Sequence, residues 1–197
     1  MKKVETKQKL LESCLQLISE KGYLGATTRE ISRHAGVTEL TLFRHFGTKE
    51  RLFEELLSSY TFLPRLKELL PELDARTYDD ALTLIASRFL LTLKERKSMI
   101  KILSSEIHLY PEKIRKMYGS LVDETRSMLA SYFASMQRKG TLRSFSPEIA
   151  ARTFLGMLFN YFRTEEIMNE NGMTKKRMEQ NVRDMVDIFI HGTLKCQ

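Results

Sequence analysis

Apolar residues recur at intervals of three and four positions through most of this 197-residue chain, a spacing that predicts amphipathic helices. Gly and Pro are scarce, at nine and four, and no stretch alternates convincingly between apolar and polar residues as a β-strand does. The pattern therefore predicts an all-α protein. The first helix is expected to end at Gly22, and its apolar face consists of Leu11, Cys14, Leu15 and Ile18.

Two short helices with polar starts follow the first one. Thr27 and Glu30 have the spacing of a capping box, which predicts a helix that begins there and stops at Gly36. Thr38 is a second N-cap residue, and the helix after it is expected to run from Glu39 to Phe46. Two short helices joined through a Gly are typical of a helix-turn-helix, whose second helix enters the major groove of DNA. Plain helical corners share this spacing, so the outline alone leaves both interpretations open.

Longer helices are predicted further along the chain, where Pro, Gly and polar clusters delimit them. The fourth helix, capped by Thr48, is expected to continue toward Phe62 and to halt near Pro64, and a short segment from 65 to 73 follows. The remaining predicted helices cover approximately residues 78–93, 98–109, 111–139 and 147–168, and a last one begins after the cap residue Thr174.

Composition narrows the class of partner. Lys and Arg number 32 against 25 Asp and Glu, a net charge of +7, which favours nucleic acid or an anionic membrane surface. No apolar run approaches the roughly 18 residues of a membrane span, and the basic start lacks the apolar region of a signal peptide. We therefore expect a cytoplasmic protein without a membrane segment.

The residues with reactive side chains do not have the spacing of a catalytic or metal site. Cys14 and Cys196 lie at opposite ends of the chain without metal-ligand spacing around them. Glu106 and His108 are two positions apart on a predicted helix and face different directions, so they make a poor acid–base pair. Because the sequence also lacks phosphate-binding loops and nucleophile motifs, we expect no catalytic residues, no metal and no cofactor.

The segment TTREISRHAGVTELTLFRHFGTKERLF resembles the DNA-binding domain of the TetR family of bacterial transcriptional regulators. The resemblance covers Lys9 to Leu57, and its strongest motifs are Gly22-Tyr23, Thr27-Thr28, Ala35-Gly36-Val37, Leu42-Phe43, His45-Phe46 and Lys49-Glu50. It implies a three-helix head of residues 1–50 that binds DNA. It also implies a larger helical domain of residues 51–197 that binds a ligand and forms a dimer.

The resemblance further implies which side chains meet DNA. They are Thr28 and Arg29 at the start of the second helix, followed by Thr38, Glu39, Leu40, Thr41, Phe43, Arg44, His45 and Lys49. Physical chemistry supports two of them, because the Arg44 guanidinium can bind a guanine edge and the Lys49 ammonium can pair with a phosphate.

Three of these positions matter for specificity because they depart from the family pattern or carry an acid. Tyr is usual where Phe43 stands, and its hydroxyl can hold a phosphate, so Phe43 is open to a packing role instead. A small residue is usual in place of Leu40, which can instead touch a thymine methyl group. Glu39 either accepts a hydrogen bond from a cytosine amino group or is a solvated acid favoured by the dipole of its helix.

Residues 154–162 are apolar on almost every side of their predicted helix, so this helix must be buried all round. A partner helix from a second copy of the chain is an economical cover. Together with the amphipathic last helix, it predicts a two-fold homodimer with four helices at its interface, as the resemblance also implies. The predicted interface residues are Phe154, Leu155, Leu158, Phe162, Met185 and Phe189.

Met and aromatic residues are frequent in the middle helices, where the family usually binds a small molecule. Flexible Met side chains suit an adaptable pocket, although they ordinarily belong to the core. The candidate ligand-binding residues are Phe89, Met99, Leu103, Glu106, Met117, Met128, Met157, Asn160 and Tyr161.

These features predict a dimeric transcriptional regulator that binds a near-palindromic operator of double-stranded DNA. It is expected to be a repressor that releases the operator when a small, apolar effector binds, while activation and the identity of the effector stay open. The alternative is a helical interaction protein whose basic face binds a partner protein or an anionic membrane.

Overall fold

The computed structural model describes residues 2–169, 172 and 174–194, with the backbone alone at residues 2, 3, 105 and 106. The regular elements of this part are helices, apart from one antiparallel bridge between Leu142 and Leu194, so the prediction of an all-α protein is confirmed. The α-helices are α1 (Lys2–Gly25), α2 (Thr28–His34), α3 (Glu39–Phe46), α4 (Lys49–Tyr60), α5 (Leu63–Leu73), α6 (Tyr78–Glu95), α7 (Lys97–Glu106), α8 (Glu112–Arg138), α9 (Pro147–Phe162) and α10 (Lys175–Thr193). A 3₁₀ turn, Ile107–Leu109, follows α7, and a π-helical turn, Arg163–Met168, follows α9.

The predicted starts and ends of the first helices are present, and local side chains account for them. α1 breaks at Gly22, where φ is 73°, a left-handed value that favours glycine. The Thr27 hydroxyl accepts a hydrogen bond from the N–H of Glu30 at 3.2 Å, and the Glu30 carboxylate accepts one from the N–H of Thr27 at 3.4 Å. The capping box is therefore confirmed. Thr38 caps α3 by accepting a hydrogen bond from the N–H of Thr41, and α3 has its predicted bounds.

Two later segments have features that the sequence did not predict. The short segment after the fourth helix is itself a helix, α5, whose first turn contains Pro64, a residue well suited to that position. The predicted helix of residues 147–168 changes from α to π geometry after α9. This wider turn accompanies the burial of Glu166, whose carboxylate lies 3.3 Å from Nζ of Lys94 and 3.0 Å from Nζ of Lys97.

The chain folds into two compact units, and the first consists of Met1–Thr61 with Ser98–Ser120. Its core includes fully buried side chains of α1, α2, α3 and α4, namely Leu10, Ile31, Leu42, Leu52 and Phe53. The predicted domain boundary after residue 50 falls inside α4, whose apolar residues belong to this core. That residues 1–50 and 51–197 act as separate domains stays a prediction.

An aromatic cluster joins the later segment of the first unit to its helices. The ring centroid of Tyr110 lies 5.2 Å from that of Tyr23 and 5.6 Å from that of Phe53. In the same segment, the Lys113 ammonium lies 2.7 Å from the Glu54 carboxylate of α4. Residues on both sides of Pro111 are thus held to the core that supports α2 and α3.

The second unit, Phe62–Lys97 with Leu121–Gln197, has an aromatic core around Phe133. The ring centroids of Phe154 and Phe189 lie 6.5 Å and 5.7 Å from that of Phe133, and 4.9 Å from each other. Since these three rings come from α8, α9 and α10, the cluster holds the three helices together.

Most of the predicted dimer-interface residues lie in this core rather than at the surface. Five of them are at most 8% exposed within a single chain: Phe154, Leu155, Leu158, Phe162 and Phe189. α6 and α10 of the same chain already lie against α9, so a single chain is enough to bury these five side chains, and their contact with a second copy stays a prediction. Met185 is half-buried, and its contact with a second copy stays a prediction.

Candidate nucleic-acid interface

The turn between α2 and α3 determines which side of α3 faces the core. Gly36 has a φ of 69°, and the N–H of Val37 donates to the carbonyl of Ser32 at 3.0 Å. Leu42 and Phe46, four positions apart on α3, are both buried. α3 therefore packs on the core along one face and leaves its opposite face to solvent, as the second helix of a helix-turn-helix requires.

The outer face of α3 carries an exposed arginine and two exposed apolar side chains. Leu40 and Phe43 are 67% and 42% exposed, and Arg44, the next residue, is exposed as well. Arg29 is exposed in the first turn of α2. Neither guanidinium has an acidic group within salt-bridge distance among the residues that the structure describes. Both are therefore available to an anion such as a phosphate.

Two of the predicted DNA contacts, Thr28 and Glu39, are joined by a hydrogen bond. The Thr28 hydroxyl donates to a carboxylate oxygen of Glu39 at 2.5 Å, which ties the first residue of α2 to the first residue of α3. Both side chains are half-buried. Glu39 is therefore not a freely solvated acid, and the protein orients its carboxylate without any help from DNA.

The other uncharged candidates have mainly local contacts. The hydroxyl oxygens of Thr38 and Thr41 lie 3.0 Å apart at the N-terminus of α3. At the other end, the imidazole of His45 is half-buried and its centroid lies 6.1 Å from that of the Phe46 ring. These contacts order side chains at both ends of α3, and a role of the three residues in DNA binding stays a prediction.

Lys49 has a structural contact in addition to its predicted role. Its ammonium donates to the backbone carbonyl of Tyr23 at 2.5 Å and lies 4.4 Å from the centre of the Tyr23 ring. Burial lowers the pKa of the Lys49 ammonium. The side chain ties the first residue of α4 to the turn after the break in α1, and this contact competes with the predicted contact to a phosphate.

Tyr23 is the residue of this region whose role sequence reasoning missed. Its phenol donates to the Glu50 carboxylate at 3.5 Å, and burial and then the Glu50 charge raise the pKa of the phenol. Tyr23 thus holds both residues at the start of α4. The sequence shows the pairs Gly22-Tyr23 and Lys49-Glu50 as separate motifs. The contact of Lys49 with Tyr23 joins positions 26 residues apart, and no local sequence pattern predicts it.

The predicted ligand-binding residues are distributed over both compact units. Met99 and Leu103 are buried in the first unit, and Met117 is half-buried there. The side chain of Glu106 lies outside the described residues. The other five belong to the second unit and are Phe89, Met128, Met157, Asn160 and Tyr161.

The second unit contains a groove of about 520 Å³ between α5 and α8. Its lining residues are Leu70, Asp74, Glu124, Ser127, Met128, Ser131, Tyr132 and Ser135. Of the predicted ligand-binding residues, Met128 lines this groove. Phe89 instead packs on Phe62 with 5.0 Å between ring centroids, and the Tyr161 hydroxyl accepts a hydrogen bond from the Asn181 amide at 2.7 Å. Ligand binding by these side chains stays a prediction.

Comparison with known proteins assigns the chain to a family. The family model described as "Bacterial regulatory proteins, tetR family" matches residues 10–56, which include α2 and α3. A second model, described as "AefR-like transcriptional repressor, C-terminal domain", matches residues 80–192. The chain belongs to the TetR family of bacterial transcriptional regulators.

Individual relatives agree with this assignment. The HTH-type transcriptional regulator YvkB of Bacillus subtilis is 31% identical over 157 residues, which are 80% of this chain and 81% of that protein. A TetR-family regulator from Mesorhizobium loti has a similar structure, with a TM-score of 0.83 at 20% identity over 99% of this chain and 100% of the other. FadR from Bacillus subtilis, solved in complex with stearoyl-CoA, has a TM-score of 0.75 at 18% identity over 94% and 98%. The two solved structures share the fold of this chain.

Family membership sets the class of function. Proteins of this family are DNA-binding transcriptional regulators that act on operator DNA as dimers and respond to small-molecule effectors. Within the described ranges, no helix is both long enough and apolar enough to cross a membrane. The two family-model matches favour the regulator interpretation over that of a helical interaction protein.

Proposed function

We propose that this chain is a repressor whose dimer places its two copies of α3 in successive major grooves of a near-palindromic operator. A small, apolar molecule causes release of the DNA. The observation that carries the DNA-binding part is the exposed outer face of α3, where the Arg44 guanidinium has no acidic partner in the described part of the chain. Arg44 binds a guanine edge, and Arg29 binds a phosphate.

Release of DNA requires that ligand binding alters the DNA-binding unit, and the segment Ser98–Ser120 offers a physical connection. It belongs to the same compact unit as α1, α2, α3 and α4, and Tyr110 packs on Tyr23 and Phe53. Four predicted ligand-binding residues lie in this segment, namely Met99, Leu103, Glu106 and Met117. A ligand that displaces it acts directly on the helix-turn-helix, provided that the ligand binds the DNA-binding and released conformations with different affinities.

A long-chain acyl compound is the first class of effector to test. Flexible Met side chains, which are frequent among the predicted ligand-binding residues, adapt to apolar ligands of irregular shape. FadR of Bacillus subtilis, which shares the fold, was solved with stearoyl-CoA. Both observations support an apolar chain as the effector of this protein.

The dimer contact is assigned to the exposed faces of α9 and α10. Ile149 and Ile188 are 62% and 70% exposed, and Gly156 is exposed with open space around the position of a Cβ atom. Met185 is half-buried on α10. Exposed apolar side chains on both helices, together with a glycine on α9 that has no side chain, allow two copies of α9 and α10 to approach closely about a two-fold axis.

Selection of duplexes from a random library by the full-length protein tests DNA recognition. The proposal expects enrichment of a near-palindromic sequence that binds two copies of the chain, with an affinity that falls as salt rises. Equal binding to every duplex and to anionic vesicles would support the alternative of a helical interaction protein.

Ligand release is tested on the enriched duplex with long-chain acyl-CoA, and CoA without an acyl chain is the control. The proposal expects the acyl compound to raise the Tm of the DNA-free protein and to release the duplex, whereas CoA does neither. If acyl compounds raise the Tm while the duplex stays bound, the release mechanism is wrong and the DNA-binding function stands.

A further inference from the structure

We propose that Leu40 and Phe43 form an apolar reading surface for the 5-methyl groups of thymine. The inference rests on the proposed placement of α3 in the major groove. It goes further by naming thymine as a base that the helix recognises. Beyond the arginine contact, the operator is then selected by methyl groups on the groove edge rather than by further hydrogen bonds.

Leu40 and Phe43 are exposed, and the packing of α3 on the core depends on other residues of the helix. Ten large apolar side chains are exposed among the described residues, and two of these stand in α3, a helix of eight residues. Exposed apolar residues of soluble proteins are usually scattered singly, whereas Leu40 and Phe43 occupy positions i and i+3 and so lie on one side of the helix. Leu42 and Phe46 provide the packing of α3 on the core.

The surroundings of this surface indicate an anionic partner that also carries apolar groups. Arg44 and Arg29 are exposed and have no acidic partner in the described part of the chain, so an anionic polymer is attracted to this side of the protein. The major-groove edge of DNA exposes one apolar substituent, the 5-methyl group of thymine, and Phe and small apolar side chains are known to contact it. Phe43 has no polar side-chain atom that could serve a different base.

Helix and duplex geometry determine how the thymines are spaced. Cβ atoms at positions i and i+3 of a helix are about 5–6 Å apart, and successive base pairs are about 3.4 Å apart along the duplex. Leu40 and Phe43 therefore meet methyl groups that are one or two base steps apart. Each operator half-site is expected to contain two such thymines, on the same strand or on opposite strands.

Replacement of single thymines by deoxyuridine tests this inference, because uracil keeps the hydrogen-bonding groups of thymine and lacks only the methyl group. The probe is a duplex enriched from a random library by the full-length protein. Loss of one buried methyl contact is expected to raise the Kd about fourfold, and its loss in both half-sites about 15-fold.

Protein variants identify which side chain contacts which methyl group. Leu40→Ala is expected to abolish the difference in Kd between the thymine and the uracil duplex at one position, and Phe43→Ala is expected to abolish it at the other. Leu109→Ala removes an exposed leucine outside α3 and is expected to leave both differences unchanged.

Each outcome tests either this inference or the proposed repressor function on which the inference rests. If uracil binds as well as thymine at every position of an enriched duplex, the inference is overturned and the repressor function stands. If thymine is preferred equally by Leu40→Ala, Phe43→Ala and the parent protein, another residue reads the methyl groups and the assignment is wrong. If no duplex is enriched, the proposed function fails and the inference fails with it.

Discussion

Replacement of Lys49 by Met separates the structural contact of this side chain from its predicted contact with phosphate. In the folded protein the ammonium donates to the carbonyl of Tyr23, a buried residue, and lies over the Tyr23 ring. Loss of a donor to a buried carbonyl costs about 1–3 kcal/mol, and loss of the cation–π contact costs about 0.5–1 kcal/mol more. Met also removes the unfavourable desolvation that lowers the pKa of Lys49. We expect a net loss of about 1–2 kcal/mol in the free energy of unfolding.

Thermal unfolding without DNA measures this loss. In a chain of this length, about 1–2 kcal/mol corresponds to a fall in Tm of about 2–8 °C. Lys9→Met is the matched control, because Lys9 is an exposed lysine of α1 and its loss is expected to change the free energy of unfolding by no more than about 0.5 kcal/mol. An unchanged Tm for Lys49→Met, combined with weaker binding to every duplex, would refute the structural role and make Lys49 a phosphate contact.

Three further substitutions test the fold, the dimer and the connection to the helix-turn-helix. A hydrogen bond from Lys21 is the largest cause that lowers the pKa of Glu30 from 4.5 to about 2, so the stability contributed by this carboxylate is present above about pH 4.5 and is lost as the pH falls toward 2. Glu30→Gln is expected to show a flatter dependence of the urea midpoint on pH in that window, and a slope as steep as that of the parent would contradict this reasoning. Ile188→Glu is expected to give monomers in size-exclusion chromatography with light scattering, whereas Leu91→Glu, at an exposed leucine of α6, keeps the dimer; a dimeric Ile188→Glu would place the interface elsewhere. Tyr110→Ala is expected to cost about 3 kcal/mol and to speed hydrogen exchange of α4 amides, and unchanged exchange there would argue against the connection.

Local signals in the sequence predicted the helix-turn-helix well. The capping box of Thr27 and Glu30 and the cap at Thr38 involve partners three residues away, and such contacts depend on sequence spacing alone. The contact of Lys49 with Tyr23 spans 26 residues, and the packing of Tyr110 on Phe53 joins even more distant segments. Only the folded chain brings these residues together, and spacing therefore gives no sign of them.

The apolar helix α9 shows a second reason why sequence reasoning was incomplete. Its pattern correctly indicated that Phe154 and Phe162 are buried. Periodicity reports burial but does not identify the covering element, and α6 and α10 of the same chain provide the cover. Ile149 and Ile188 are exposed and belong to the proposed dimer surface. They do not interrupt the helical spacing of apolar residues, so the sequence did not single them out.

The central claim is that the outer face of α3 reads operator DNA, and the affinity of Arg44→Ala for specific and non-specific duplexes tests it most directly. The specific duplex is the one enriched by the parent protein, and the non-specific duplex has the same composition in scrambled order, at one fixed salt concentration. We predict that Arg44→Ala weakens specific binding about 10- to 100-fold and leaves non-specific binding nearly unchanged, whereas Arg29→Ala weakens both alike. Equal losses on the two duplexes for Arg44→Ala, or no loss on either, would contradict the claim.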